Sequence, residues 1–223
     1  MIKQIHVNEC NSTQDLLKEQ LRGANTSDFM LVSCENQTSG RGRGENKWQA
    51  LPGTLCFSLN IKPHSVMSFT ALELSVLVAR FFDQQGQKLK LKWPNDLWDS
   101  EFKKCGGILV QGSQNQLHAG IGINIYSNDK SLGGVYKDVQ EYNKKDLAFE
   151  IAEFIVSNRY ENTTLLKRDW LVRCGHLNHM VTITENEERS EGIFQGLGEF
   201  GEAEVCINGQ INHFFNGSLR PSN

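Results

Sequence analysis

The sequence predicts an α+β protein: a sheet flanked by helices forms a larger first unit, and a small antiparallel β-barrel follows it. Three observations predict this. Apolar strand-like runs at 29–33, 54–61, 89–93, 107–111 and 117–125 surround one long apolar helix candidate at 71–82. Past Arg173 the texture changes to short strands broken by Gly and Asn, the cadence of a small barrel. Finally, 223 residues of which 39% are hydrophobic suffice for a core without disulfide staples.

Taken in order, Ser12-Thr13-Gln14-Asp15 ahead of Leu16, Leu17 and Leu21 reads as a capped helix start. Residues 29–33 read as a buried strand. From 35 to 53 apolar periodicity stops and Gly, Asn, Gln, Arg and Lys take over, marking a long loop. Loops of that length are usually functional or disordered. Residues 54–61 resume as a strand. Residues 71–82 are apolar around most of the helical circumference, so that helix belongs inside. Leu and Lys alternate over 89–93 until Pro94, and the strands 107–111 and 117–125 pair across a short turn. In 146–158, Leu147, Ile151, Phe154 and Ile155 share one helical face, and 163–173 is a second helix. The barrel strands fall at 181–184, 192–195, 204–207 and 212–216. A boundary near Cys174 gives units of 1–175 and 176–223, the first with enough core of its own to fold alone.

The net charge of -3 and pI near 6.1 provide no global field for nucleic acid or an anionic membrane, so any basic function is local. The six cysteines are scattered without a C-x-x-C pair, as expected for buried, inert thiols in a reducing compartment. Residues 1–10 lack the apolar core of a signal peptide, and no apolar run approaches the ~18 residues of a membrane span. A soluble, cytoplasmic protein without a membrane partner is expected. His176 and His179 have no third ligand nearby and are expected at the surface.

Residues 37–48, QTSGRGRGENKW, carry the most chemical information. Two arginines and a lysine sit on a backbone with three glycines, so the loop can approach an anion closely and offer both amides and guanidinium forks. The P-loop and dinucleotide fingerprints are absent. The same composition also suits a solvated Gly-Arg loop, including an RNA-binding segment with Trp48 as a stacking platform. Net acidity and the lack of further basic clusters weigh against that reading. A second cluster, Lys90 to Leu97 (KLKWPNDL), ends a strand at Pro94 and places Asn95 and Asp96 on a turn, as pocket groups or as an Asx turn. Lys104 then precedes the glycine pair Gly106-Gly107, as a site cation or as a solvated edge lysine. A third cluster, 119–125 (AGIGINI), alternates glycine with aliphatics, as a strand against which a helix packs tightly would.

Together these clusters resemble biotin protein ligases. The family's Q-T-x-G-R-G-R is Gln37 to Arg43, its K-W-P-N-D is Lys92 to Asp96, its K-x-x-G-[IV]-L is Lys104 to Leu109, and its G-x-G-x-N is Gly120 to Asn124, all in the family's order. Ser12-Thr13 matches the S-T that precedes the loop, and Ser218-Leu219-Arg220 gives a weaker C-terminal match. The resemblance implies a mixed sheet related to the class II aminoacyl-tRNA synthetase catalytic fold, followed by an SH3-like barrel. It implies biotin, ATP and Mg²⁺ as reactants, biotinyl-AMP as intermediate, and a lysine of a biotin carboxyl carrier protein or carboxylase domain as acceptor. It further implies that Ser12, Thr13, Gln37, Gly40, Arg41 and Gly107 line the biotin pocket. Arg43, Trp48, Asn95 and Asn124 would serve the nucleotide, and Lys104 would contact both the biotin carboxylate and the α-phosphate. Gly42 and Lys92 belong to the same binding set, and Arg220, near the end of the last strand, is placed to reach back to the ATP phosphates. Lys104, Arg41, Arg43 and Asp96 would be catalytic, with Asp96 as the carboxylate for Mg²⁺ or for the incoming lysine.

The chain departs from some members in following Arg43 with Gly44-Glu45-Asn46, which lowers the loop's positive charge. Ser12 lies too near the first residue for a helix-turn-helix domain ahead of it, so DNA binding by that route is not expected, and a homodimer is compatible with the family. A lipoate or octanoate ligase or transferase shares the fold, but typically carries R-R-x-S-G-G-G and lacks K-W-P-N-D.

Overall fold

The computed structural model describes residues 1–22, 28–113, 116–139 and 141–221. The chain begins with β1 (Ile2–Cys10), α1 (Thr13–Gln20) and β2 (Phe29–Gln37). Two short strands, β3 (Gly40–Arg41) and β4 (Lys47–Trp48), precede β5 (Thr54–Ile61). A 3-10 turn at Met67–Phe69 leads into α2 (Thr70–Asp83), followed by β6 (Lys90–Lys92), β7 (Asp96–Trp98), β8 (Lys104–Ser113) and β9 (Gln116–Asn124). After α3 (Lys144–Ser157) and α4 (Thr163–Arg173) come β10 (Met180–Glu185), β11 (Glu188–Leu197), β12 (Ala203–Ile207), β13 (Gln210–Phe214) and β14 (Ser218–Pro221).

The first sheet has the order β1-β2-β5-β9-β8-β7-β6. It is mixed, because the crossover through α1 returns β2 parallel to β1, whereas each of the other neighbours pairs antiparallel. The expected pairing of the 107–111 and 117–125 strands is present; their turn at 114–115 lies outside the described residues.

Strand alternation decides which face becomes the core and which the cleft. In β5, Leu55, Phe57, Leu59 and Ile61 enter the main apolar cluster with α2 and α3, whereas Cys56, Ser58 and Asn60 point to the side of α1. In β9, Ala119, Ile121 and Ile123 repeat the pattern, leaving Gly120 and Gly122 on the α1 side. Leu17 of α1 packs on Met30 and Val32 in a separate small cluster while the intervening Leu31 joins the main core. The α1 face therefore has small and polar floor residues, and its helix is short, which leaves room for a cleft beside it.

Helix α2 is buried nearly all round, as its sequence predicts, and even Glu73 is 0% exposed. That charge is tolerable because Arg159 grips it with both Nε and Nη2, at 2.8 and 2.5 Å, while the Tyr160 amide donates at 2.7 Å.

The C-terminal residues form a five-stranded antiparallel sheet of order β13-β12-β11-β10-β14, with a bulge between Phe194 and Gly196. It does not have a separate core. Val181, Ile183, Phe194, Val205 and Leu219 belong to the same buried cluster as Leu77, Trp93 and Trp170. The Trp93 indole donates to the Gly201 carbonyl at 3.0 Å, and the Trp93-Pro94 peptide is cis. His176 is not at the surface as expected: it is 0% exposed, among Trp98, Trp170 and Phe194 with ring centroids 6.3, 6.1 and 4.3 Å away. Among the described residues, no helix is long and apolar enough to cross a membrane.

Candidate active site

The cleft on the α1 face has a volume of about 370 Å³, within the range of small-molecule sites. Its two ends differ in chemistry. At one end, the start of α1 meets β2 and β5. Ser12 is the helix N-cap but its hydroxyl caps nothing, so that group remains available on the cleft wall. Thr13 donates from its amide and hydroxyl to Gln37 Oε1 at 2.9 and 3.2 Å, and its hydroxyl shares a 2.8 Å hydrogen bond with Ser58. Gln14 Nε2 donates to the carbonyls of Leu109 and His118, at 2.8 and 3.1 Å, while lying on Gly120. A Cβ at 120 would sit 2.9 Å from the Gln14 amide carbon, so that glycine exists for tight helix-on-strand packing.

The other end is cationic. Pro94 ends β6, and the turn that follows delivers Asp96 to β7 opposite Gly107. Asp96 Oδ2 pairs with Lys92 Nζ at 2.6 Å and Oδ1 with Lys104 Nζ at 2.5 Å. Burial alone would raise the Asp96 carboxyl, but the two ammonium groups outweigh it and hold it below its ordinary range. Lys104 also lies 5.9 Å from the centroid of the Trp48 ring. The Trp48 indole in turn lies against Gly122, where any Cβ would enter the ring. Its N–H is buried and meets nothing better than the sulfur of Cys56, a weak acceptor, and burial pushes that thiol up to about 11.

The glycine-rich segment roofs this end. Strands β3 and β4 pair Gly40 with Trp48 and Arg41 with Lys47, and the Gly42 amide bonds the Asn46 carbonyl at 2.7 Å. The unstructured loop expected from composition is therefore closed into a hairpin. Arg41, on the cleft wall, pairs with Asp15 of α1. Arg43 faces inward: burial lowers its guanidinium below the usual arginine range, opposed by the attraction of Asp96.

Most residues expected at the site come together here: Ser12, Thr13, Gln37, Arg41, Gly42, Arg43, Trp48, Lys92, Asn95, Asp96, Lys104 and Gly107 all line the cleft. Three do not. Gly40 lies behind the wall, in close packing between Gln37 Nε2 and the Trp48 backbone. Asn124 is buried and committed to structure, accepting from Thr54 Oγ1 at 2.8 Å and donating to the Gly133 carbonyl at 3.3 Å. Arg220 is exposed, because alternation along β14 turns its neighbour Leu219 inward instead; Ser218 and Leu219 line the cleft.

The Asn95 side chain braces the neighbouring strand, its Nδ2 donating to the Ile108 carbonyl at 2.6 Å. Asp96, expected as the carboxylate for Mg²⁺ or for the incoming lysine, has both oxygens paired with lysine ammonium groups. Among the described residues, the cluster of possible metal ligands is Glu202, Glu204 and His213, none of which lines the cleft. Sequence reasoning gave no site role to Gln14 or Cys56, and in the Ser218-Leu219-Arg220 motif it favoured Arg220 over Ser218 and Leu219, which line the cleft. Gln14 stands directly after Ser12-Thr13 at a helix start, which was the available signal.

A cleft with a hydrogen-bonding slot at one end and a lysine, lysine and arginine cluster at the other defines a protein that binds a small polar molecule beside an anion. Residues 7–128, more than half of the chain, match the Biotin/lipoate A/B protein ligase family. The chain belongs to this family. It is 29% identical over 133 residues to the biotin--protein ligase of Homo sapiens, a match covering 53% of this chain and 18% of that protein. To the bifunctional ligase/repressor BirA of Bacillus subtilis (strain 168) it is 30% identical over 139 residues, 58% of this chain and 42% of that one. The chain thus matches less than half the length of either relative. Its structure resembles that of the biotin protein ligase from Aquifex aeolicus in complex with biotin and ATP, with TM-score 0.83 and 26% identity over 99% of both chains.

Proposed function

We propose that this chain activates biotin with MgATP to biotinyl-5'-AMP and transfers the biotinyl group to a lysine of a biotin carboxyl carrier domain. One observation carries the reading: Lys92, Lys104 and Arg43 converge on one end of a cleft whose other end presents Ser12, Thr13 and Gln37. Likeness over nearly the full length to a protein solved with biotin and ATP supports it. In the first step a biotin carboxylate oxygen bonds to the α-phosphorus and the bond to pyrophosphate breaks. Charge accumulates on phosphoryl oxygens, and fixed cations stabilise that charge more than the ground state. Asp96 holds the two lysine ammonium groups close together; a phosphoryl oxygen would exchange with one of its ion pairs. In the second step the acceptor amine attacks the acyl carbon, the acyl–oxygen bond breaks, AMP leaves and the new amide loses a proton.

Magnesium enters with the nucleotide, held by its phosphates. The division into catalytic residues 1–175 and a C-terminal unit of 176–223 belongs to the same proposal, with Ser218 and Leu219 as the second unit's contribution to the cleft. The test is mass spectrometry of the protein after mixing with biotin and MgATP. Retained biotinyl-AMP is the expected outcome; an adduct formed with lipoate or octanoate but not with biotin would overturn the substrate assignment.

A further inference from the structure

The guanidinium of Arg43 is 174 residues from its one hydrogen-bond acceptor among the described residues. Its Nη1 donates to the main-chain carbonyl of Gly217, at 3.0 Å, in the turn between β13 and β14. That turn is shaped for this. Gly217 has φ 111°, a conformation that only glycine adopts without strain, and a Cβ there would run into the Thr184 carbonyl of β10. The preceding amide, that of Asn216, is fixed by Glu185 Oε1 at 3.0 Å. On the loop side, Asn46 donates from its amide and its side chain to the Arg43 carbonyl, at 3.2 and 2.9 Å, fixing the backbone from which the arginine projects.

A guanidinium has five N–H donors in a rigid plane. With one of them spent on Gly217, the plane is set and the remaining donors are left for the cleft, which Arg43 lines and whose Asp96 it senses. We propose that the Asn216-Gly217 turn is a positioning element for the anion-binding arginine: the C-terminal sheet holds Arg43, and through it the glycine-rich hairpin, in place before any nucleotide arrives. This rests on the nucleotide-binding reading of the cleft and adds a carbonyl of the C-terminal sheet to its machinery. Preorganising a charged donor lowers the cost of binding and seals the roof over whatever is formed beneath it.

The full chain serves for the test, with Glu185→Ala to loosen the turn and Gly217→Ala to displace the carbonyl. The readouts are affinity for MgATP alone, affinity for biotin alone, and the rate of limited proteolysis within 40–48 in ligand-free protein. The expected result for Glu185→Ala is about tenfold weaker MgATP binding, the size of one lost hydrogen bond to a charged group. Loop cleavage should be several-fold faster and biotin affinity within about twofold of wild type. In an Arg43→Gln background the Glu185→Ala effect on MgATP should vanish, because both changes break the same link. A turn that only stabilises the sheet would instead give additive losses, which would overturn the proposal. So would unchanged MgATP affinity and cleavage in folded Glu185→Ala, even if Gly217→Ala failed to fold. Because nucleotide affinity and loop cleavage are read without biotin, a chain that proved to activate another acid would still show whether the turn holds the arginine.

Discussion

Asp96 sits between two lysines at 11% side-chain exposure, and its charge has two jobs that different measurements separate. The first is structural. Because its folded-state pKa lies below the ordinary 3.8, the ion pairs stabilise the fold fully above that value and lose their effect as pH falls through the lowered one. Asp96→Asn should therefore cost about 2–3 kcal/mol at pH 7, less than a fully buried pair because Lys104 is 42% exposed. Urea midpoints should show the gap to wild type closing below pH 4; a gap that widens there would contradict this account. The second job is chemical. Lys104→Ala removes the cation nearest the glycine pair, and adenylation should slow about a hundredfold or more, as when a preorganised donor is lost. Biotin affinity should change far less. Pyrophosphate released at the wild-type rate in a single turnover would dismiss Lys104 from the chemistry.

Strand β9 shows how an element divides its two faces between stability and function. Its odd positions, Ala119, Ile121 and Ile123, fill the core, and its even glycines receive Gln14 and Trp48. Gly122→Ala should leave the fold within about 1 kcal/mol of wild type, since alanine is no worse than glycine in a strand. Yet the new Cβ must displace the indole, so Trp48 fluorescence should shift and nucleotide binding weaken about tenfold. Unchanged emission would show the ring to be placed otherwise.

At this scale much was legible in the sequence. Helices α2, α3 and α4 were readable within two residues: apolar residues marked all three, and Asn143 and Asn162 cap the last two. Strand β1 escaped notice because it is a half-buried edge whose Ile2, Ile5 and Val7 keep no strict alternation. Strand β7 escaped because three residues cannot show a period. The cleft motifs were legible as motifs, but Asn124, Gly40 and Arg220 were not separable from true lining residues. Whether a polar side chain meets the ligand or braces its own backbone depends on partners distant in sequence, such as Thr54 and Gly133 for Asn124.

At the scale of the whole molecule, the main core is shared by the first unit and the C-terminal sheet, where the sequence led us to expect a self-sufficient first unit. Truncation at residue 175 would strip Phe194, Val205 and Leu219 from the common cluster and leave the Trp93 indole without the Gly201 carbonyl. We expect residues 1–175 alone to be insoluble or to unfold without a cooperative transition, and the full chain to melt in one step. At the seam lies His176, fully buried with Nε2 unpartnered and Nδ1 3.5 Å from the Cys174 sulfur. Burial first, then the charges of Lys92 and His179, depress its pKa to about 3. Between that value and its ordinary 6.5, the unfolded chain binds a proton that the folded one refuses, so the stability from a neutral His176 is complete above 6.5 and drains away as pH falls. At pH 5 the loss should be about 2 kcal/mol, one and a half pH steps at about 1.4 each. His176→Leu keeps a bulky apolar group against Trp170 and Phe194 but has nothing to protonate. Wild type should therefore lose about 2 kcal/mol more than the variant between pH 7 and 5, measured by urea unfolding of each. Equal losses in the two proteins would show that acid attacks the molecule elsewhere than at this seam.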